Sequence, residues 1–241
     1  MENGILQRLK LRIWCLFKSP WRKKFPKQWI SEWAITFFSP RQNITHITII
    51  VPICNRLDAF EKAFLPSFLT LQKIEINVSL FLVCCNNDYL ALENSIKKSN
   101  VQKFTILQTD TPFARGAYLN LALLRLQESF VFVCDADIEL PKNFSELYVK
   151  YVKKNCAWYP ICVLLSEQFF FERWYDEGTG IVGFYQKKYS YDSEIKNWGN
   201  EDWLFLFELY GQSIYPIRSR EKNIKHHHHR PVDKAGYKQI W

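Results

Sequence analysis

Apolar residues fall into two kinds of pattern along this chain. Ile47–Ile53, Asn77–Cys85, Phe104–Gln108 and Phe130–Cys134 are short, almost continuous apolar runs, as expected of strands buried on both faces. Between them, Leu57, Phe60, Phe64, Phe68 and Leu71 recur at helical spacing over 57–72, with Pro66 as an expected kink. Tyr89–Lys98, Gly116–Gln127 and Trp203–Tyr210 read as further helices. Strand and helix alternate from 47 to 135, which predicts a parallel sheet with crossover helices. The second half is less regular, as expected where binding loops hang on a rigid sheet.

Length then sets the scale. The chain has 241 residues, enough for one large α/β domain with a full core. The expected division is a catalytic-type domain over 46–241 behind a basic helical extension over 1–45. A hydrophobic content of 48% with 23% charged residues excludes a disordered chain. Aromatic residues make up 17%, which suits ring stacking on sugar faces, although much of it belongs to a core.

Charge changes the picture at the amino terminus. The net charge is +8, and Arg8, Lys10, Arg12, Lys18, Arg22, Lys23, Lys24 and Lys27 crowd the first thirty residues. Leu9, Ile13, Trp14, Phe17 and Trp21 lie between them, and Leu6 just precedes Arg8. Such a segment reads as a helix on an anionic membrane surface. Nucleic acid and a plain solvated helix are the rival readings of the segment, and the chemistry below leaves nucleic acid without a role. No apolar stretch approaches the roughly 20 residues that span a bilayer. The basic residues also interrupt any signal-peptide core. The expected location is therefore the cytoplasm, with peripheral contact through 1–30 on the inner face of the membrane. Seven cysteines, most of them in apolar runs without zinc-ligand spacing, fit reduced, buried thiols.

The run Phe130–Cys134 ends on Asp135-Ala136-Asp137. Two carboxylates at a buried strand end cannot be left unpaired without large cost. A hard divalent cation at the carboxyl end of a parallel sheet would satisfy them; an aspartate-rich turn is the plainer reading.

Three more blocks accompany this one: Pro52-Ile53-Cys54-Asn55-Arg56, Phe113-Ala114-Arg115-Gly116, and Trp198-Gly199-Asn200-Glu201-Asp202 followed by His226 to His229. In this order they resemble the metal-dependent GT-A glycosyltransferases of the β1,4-galactosyltransferase and chondroitin N-acetylgalactosaminyltransferase group. Trp158-Tyr159-Pro160 and Gly178–Phe184 bring the chain nearer to the chondroitin branch. The resemblance spans about 47–235. Asn200 departs from the second glycine usual in the fourth block.

The resemblance implies a GT-A (Rossmann-like), mostly parallel central sheet flanked by helices. It also implies an inverting transfer of GalNAc or Gal from a UDP-sugar to a glycan or lipid-linked glycan, as in surface polysaccharide synthesis. Asp137 would hold Mn2+, with His229 the better histidine ligand and His226 second. A purification tag is the competing explanation of the histidine run, but twelve residues follow His229. Asp202 would be the base and Glu201 a sugar-binding partner; the alternative is a helix start with Asn200 as its cap. Trp198 would stack on a sugar, Arg115 would pair with the diphosphate, and Asp135, Pro52, Asn55 and Arg56 would face the nucleotide. Two rivals stay open: a non-catalytic partner of a polymerase that keeps the fold, and a metal-independent relative with another donor.

Overall fold

The structure is a computed structural model that describes residues 42–71, 77–165, 173–174, 180–193, 195 and 201–227. The basic segment 1–30, Trp198, Asn200, His228 and His229 lie outside the described residues.

The first half follows the alternation of the sequence. Strand β1 (His46–Ile53) leads into helix α1, which comprises Leu57–Ala59, a π-helical turn over Phe60–Phe64, and Leu65–Leu71. Strand β2 (Asn77–Cys85), helix α2 (Asn86–Lys98), β3 (Phe104–Thr109), α3 (Arg115–Leu123) and β4 (Ser129–Val133) follow. The irregularity expected at Pro66 lies one turn earlier. There Leu65 donates its N–H to Phe60 O in the wider π pattern, just ahead of a proline that has no N–H to give. Helix α2 starts three residues before the predicted Tyr89, and α3 ends at Leu123 rather than Gln127.

The remaining elements are β5 (Ile138–Glu139), α4 (Phe144–Tyr151), β6 (Cys156–Leu164), β7 (Arg173–Trp174), β8 (Val182–Gln186), α5 (Glu201–Gly211) and β9 (Tyr215–His226). Among the described residues the sheet runs β3-β2-β1-β4-β8-β6-β9-β5, with β7 beside β6. The first four strands are parallel. Strand β8 then runs antiparallel between β4 and β6, and β9 is parallel to β6. The sheet is thus a parallel half extended by a mixed half.

Two apolar layers cover it. On one face, Phe60, Phe64 and Phe68 of α1, Leu92 and Ile96 of α2, and Phe144 and Tyr148 of α4 pack together with Trp158. On the other, Tyr118, Leu119 and Leu123 of α3 meet Phe205, Leu206 and Leu209 of α5. Much of the aromatic excess is therefore core. Phe132, Phe144, Tyr148 and Trp158 form one cluster with ring centroids 4.8–6.4 Å apart. Gly183 is required there, because a Cβ would meet Tyr148 Cε2 at 2.8 Å.

Pro52 sits in a central strand, where proline is uncommon. The last β1–β4 pair is Ile50 with Val133, and Cys134 N donates to Ile50 O. Pro52, two residues on, faces the same side. Its missing N–H therefore falls where β4 has already left the ladder, and costs no sheet bond.

Candidate active site

The carboxyl ends of β1 and β4 and the amino ends of α3 and α5 meet at one place. Arg115 is the first residue of α3, and its side chain is only 9% exposed. Its guanidinium donates from Nε to Asp135 Oδ1 at 2.8 Å, from one terminal nitrogen to Asp202 Oδ1, and from the other to Gly180 O at 2.5 Å. Glu201 Oε1 lies 3.8 Å from the same guanidinium. Arg115 thus joins the Asp135 block to the Glu201-Asp202 block, and all three of its donor nitrogens have protein acceptors. The resemblance assigns this side chain to the diphosphate; in the structure its guanidinium lies among these carboxylates.

Glu201 and Asp202 open α5, in agreement with the helix-start reading. On an extended segment they would diverge; on the first turn of a helix both reach Arg115. Burial pushes the Asp202 carboxyl up to about 7, Glu201 and Asp135 add to the rise, and Arg115 opposes it. Burial also works against the Arg115 charge, but Asp135 and Asp202 outweigh it and hold the guanidinium ionised.

Asp137 follows the β4 end and is 5% exposed. The antiparallel pairing of β5 with β9 sets Ile138 opposite His226, and His227 N donates to Asp137 O at 2.9 Å. This register brings His226 Nε2 to 3.3 Å from Asp137 Oδ1. Arg56 approaches the other Asp137 oxygen at 3.8 Å. Burial alone would lower the His226 pKa, but the hydrogen bond and charge of Asp137 raise it. His227 turns elsewhere: its Nε2 is 2.8 Å from Glu139 Oε2, and Lys225 donates to Glu139 Oε1 at 3.1 Å.

Asp135, Asp137, Glu201 and Asp202 thus share the site with Arg56 and Arg115. When every group is ionised and His226 is neutral, two negative charges are left over. A carboxylate beside an imidazole, within such an excess of negative charge, is a donor set that fits a divalent ion such as Mn2+. Asp137 and His226 are the residues that could hold it.

Three contributors had no role assigned from the sequence, although Gly116 and Gly180 lie within the blocks at 113–116 and 178–184. Gly180 lets the backbone approach the charges, since a Cβ there would meet Asp135 Oδ2 and Asp202 Oδ2 at 3.3 Å each. Gly116 serves a similar purpose: its Cβ would lie 3.0 Å from Asp192 O and 3.1 Å from Tyr191 Cβ. Tyr191 stacks on Phe205 at 4.0 Å and closes the site from the α5 side. Glycines flanking a strand were the available signal for Gly180; nothing local marks Tyr191.

Asn55, after β1, has φ of 54°, the left-handed region that asparagine tolerates. Its N–H donates to Asp88 Oδ2 at 2.6 Å. Pro52 is buried in β1, while Asn55 and Arg56 form the turn beside the Asp137 carboxylate. Among the described residues, no helix is long and apolar enough to cross a membrane.

Comparison with known proteins gives two kinds of likeness, while no family model matches the chain. Chondroitin sulfate N-acetylgalactosaminyltransferase 1 of Mus musculus is 27% identical over 219 residues, covering 76% of this chain and 40% of the relative. The Homo sapiens protein of the same name is 26% identical over 233 residues, covering 81% and 43%. The chain therefore spans about two fifths of the length of the curated relatives it matches. Among solved structures, S. aureus TarS 1–349 in complex with UDP-GlcNAc superposes with a TM-score of 0.59 at 12% identity, covering 80% of this chain and 62% of that one. The mannosyltransferase PcManGT from Pyrobaculum calidifontis, in complex with GDP-Man and Mn2+, gives 0.58 at 14% identity, covering 87% and 66%.

Proposed function

We infer that this chain, which has the α/β fold of GT-A glycosyltransferase structures and weak homology to chondroitin N-acetylgalactosaminyltransferases, is a metal-dependent, inverting glycosyltransferase. It takes a UDP-sugar, with GalNAc or Gal as the sugar, and forms a β-linkage to a glycan or lipid-linked acceptor. The observation that carries the reading is the meeting of Asp135, Asp137, Glu201, Asp202, Arg115 and His226 at the carboxyl ends of parallel strands. Open α/β sheets bind their ligands there.

Asp202 is the base in this reading. Its carboxylate accepts the proton of an acceptor hydroxyl as that oxygen attacks the anomeric carbon, while the bond to the diphosphate breaks and UDP departs with the electron pair. A base with a pKa near the working pH combines sufficient ionisation with sufficient basicity. Arg115 fixes the direction of Asp202 and limits the rise of its pKa. Glu201, 2% exposed, lies beside the base and binds a sugar hydroxyl. Asp137 and His226 would hold the cation, which when bound would supply positive charge against that of the diphosphate. Pro52, Asn55 and Arg56 flank the nucleotide, and Asp135 faces the ribose. Trp198 and His229 keep the sugar-stacking and metal-binding roles that the resemblance assigns them. The cytoplasmic setting and the membrane contact of 1–30 belong to the same proposal. A panel of UDP- and GDP-sugars assayed for nucleotide release tests the donor: preference for UDP-GalNAc or UDP-Gal is expected, and turnover confined to GDP-mannose would overturn it.

A further inference from the structure

Three side chains outside the Arg115 network converge at the ends of β1 and β2. Ile53 pairs with Cys84 in the last step of the β1–β2 ladder, so Cys54 and Cys85 emerge side by side just beyond it. Alternation along β2 separates the neighbouring cysteines. Cys84 enters the core on the α1 face, while Cys85 shares the α3 side with Val83. Cys54 and Cys85 are half-buried, unlike the fully buried Cys84, Cys134, Cys156 and Cys162. Asp88, in the first turn of α2, completes the group: one ligand atom from each of Cys54, Cys85 and Asp88 lies within 4.8 Å of the others.

We propose that Cys54, Cys85 and Asp88 form a binding site for a thiophilic divalent cation, zinc being the ordinary occupant, distinct from the Asp137–His226 pair. Two thiolates and a carboxylate select a soft or borderline ion over Mg2+ or Mn2+. A tetrahedral site with Zn–S near 2.3 Å spaces its ligand atoms roughly 3.5–3.8 Å apart, so ligand atoms that lie within 4.8 Å of one another need shifts of about 1 Å or less. Cys85 Sγ already lies 3.3 Å from Asp88 Oδ2. The carboxylate is also held in direction, because Asn55 N donates to that same oxygen; such outer contacts orient ligands in metal sites. Three protein ligands leave a fourth position for water or another ligand.

The electrostatics agree with this geometry. Burial pushes the Cys54 thiol up to about 12, and Cys85, Asp88 and Cys84 add to it. The Cys54 thiol is therefore protonated in the absence of a cation, and a negative charge on one ligand disfavours a negative charge on the next. Binding a divalent ion releases the two thiol protons to solvent and relieves that repulsion. The bound ion would tie the left-handed Asn55 turn to the start of α2. The assignment does not depend on the glycosyltransferase reading.

Cd2+ titration of the full-length protein tests it through the ultraviolet thiolate-to-cadmium absorption, with released protons followed by a pH indicator. The expected result is saturation at one equivalent, two protons released per ion, and no displacement by excess Mn2+. Bound Zn2+ at a hundredfold excess over its Kd should raise Tm by about 5–10 °C. The absorption should vanish in Cys54→Ser and in Cys85→Ser, each checked for folding by circular dichroism, and persist in Cys134→Ser. Asp88→Asn should weaken binding by more than the roughly 10–100-fold typical of an outer contact; unchanged affinity would overturn the three-ligand assignment. Absence of the band in the wild type, or its survival in Cys54→Ser/Cys85→Ser, would overturn the site itself.

Discussion

His226 Nε2 stands 3.3 Å from Asp137 Oδ1, held there by the β5–β9 register and by the bond from His227 N to Asp137 O. The run of four histidines left the ligand open, with His229 favoured by resemblance. Strand register places the first of the run against the aspartate. His226→Ala should therefore weaken Mn2+ binding, measured by electron paramagnetic resonance, by more than the roughly 10–100-fold typical of an outer-shell partner. His227→Ala should leave it within about that outer-shell range, since His227 reaches Glu139 instead. The reverse order would transfer the role to His227.

Arg115→Met removes the cation that joins Asp135, Glu201 and Asp202. Buried carboxylates left without their partner cost about 3–5 kcal/mol, measured by urea unfolding at pH 8. The loss should shrink at pH 5, where the carboxyls can take up protons. A loss of the same size at both pH values would show that packing, rather than charge, carries the effect.

The Asp202 carboxyl has a folded pKa of about 7 against an ordinary value of 3.8. A raised acid contributes stability that is complete below about pH 4 and is lost as pH rises towards about 7. Asp202→Asn should flatten this part of the pH–stability curve while leaving the fold intact. In the wild type, kcat/KM for sugar transfer should rise with pH through the same region as the base ionises. A bound divalent cation moves that limb to lower pH.

Gly180→Ala adds a methyl 3.3 Å from both Asp135 Oδ2 and Asp202 Oδ2. Crowding of this kind costs about 1–3 kcal/mol, and displacement of the carboxylates should lower kcat by up to roughly 100-fold. Unchanged turnover with a normal Tm would show that the backbone at 180 has slack.

The first half of the fold was legible because β1, β2 and β4 are continuous apolar strands with mostly buried residues and each crossover helix keeps its own period. Strand β3, expected to be buried on both faces, is instead an exposed edge strand. Asn77–Cys85 came out with the predicted bounds. The second half was less legible because its strands take registers that no local period reveals: β8 enters antiparallel between β4 and β6, and β9 shifts register against β6 between Ile161 and Val163. The site divides the same way. Asp135, Asp137, Glu201 and Asp202 were visible as charges at element ends. The inward turn of Arg115 and the backbone approach at Gly180 depend on residues distant in sequence, and no motif announces them.

The most direct measurement is release of UDP from UDP-GalNAc or UDP-Gal, with and without Mn2+, by wild-type protein and Asp202→Asn. Wild-type protein should release UDP only with the metal and faster when acceptor is present, and Asp202→Asn should bind UDP and Mn2+ normally while turnover falls by roughly 100-fold or more. Metal-independent release, or full turnover by Asp202→Asn, would contradict the assignment of Asp137 and Asp202.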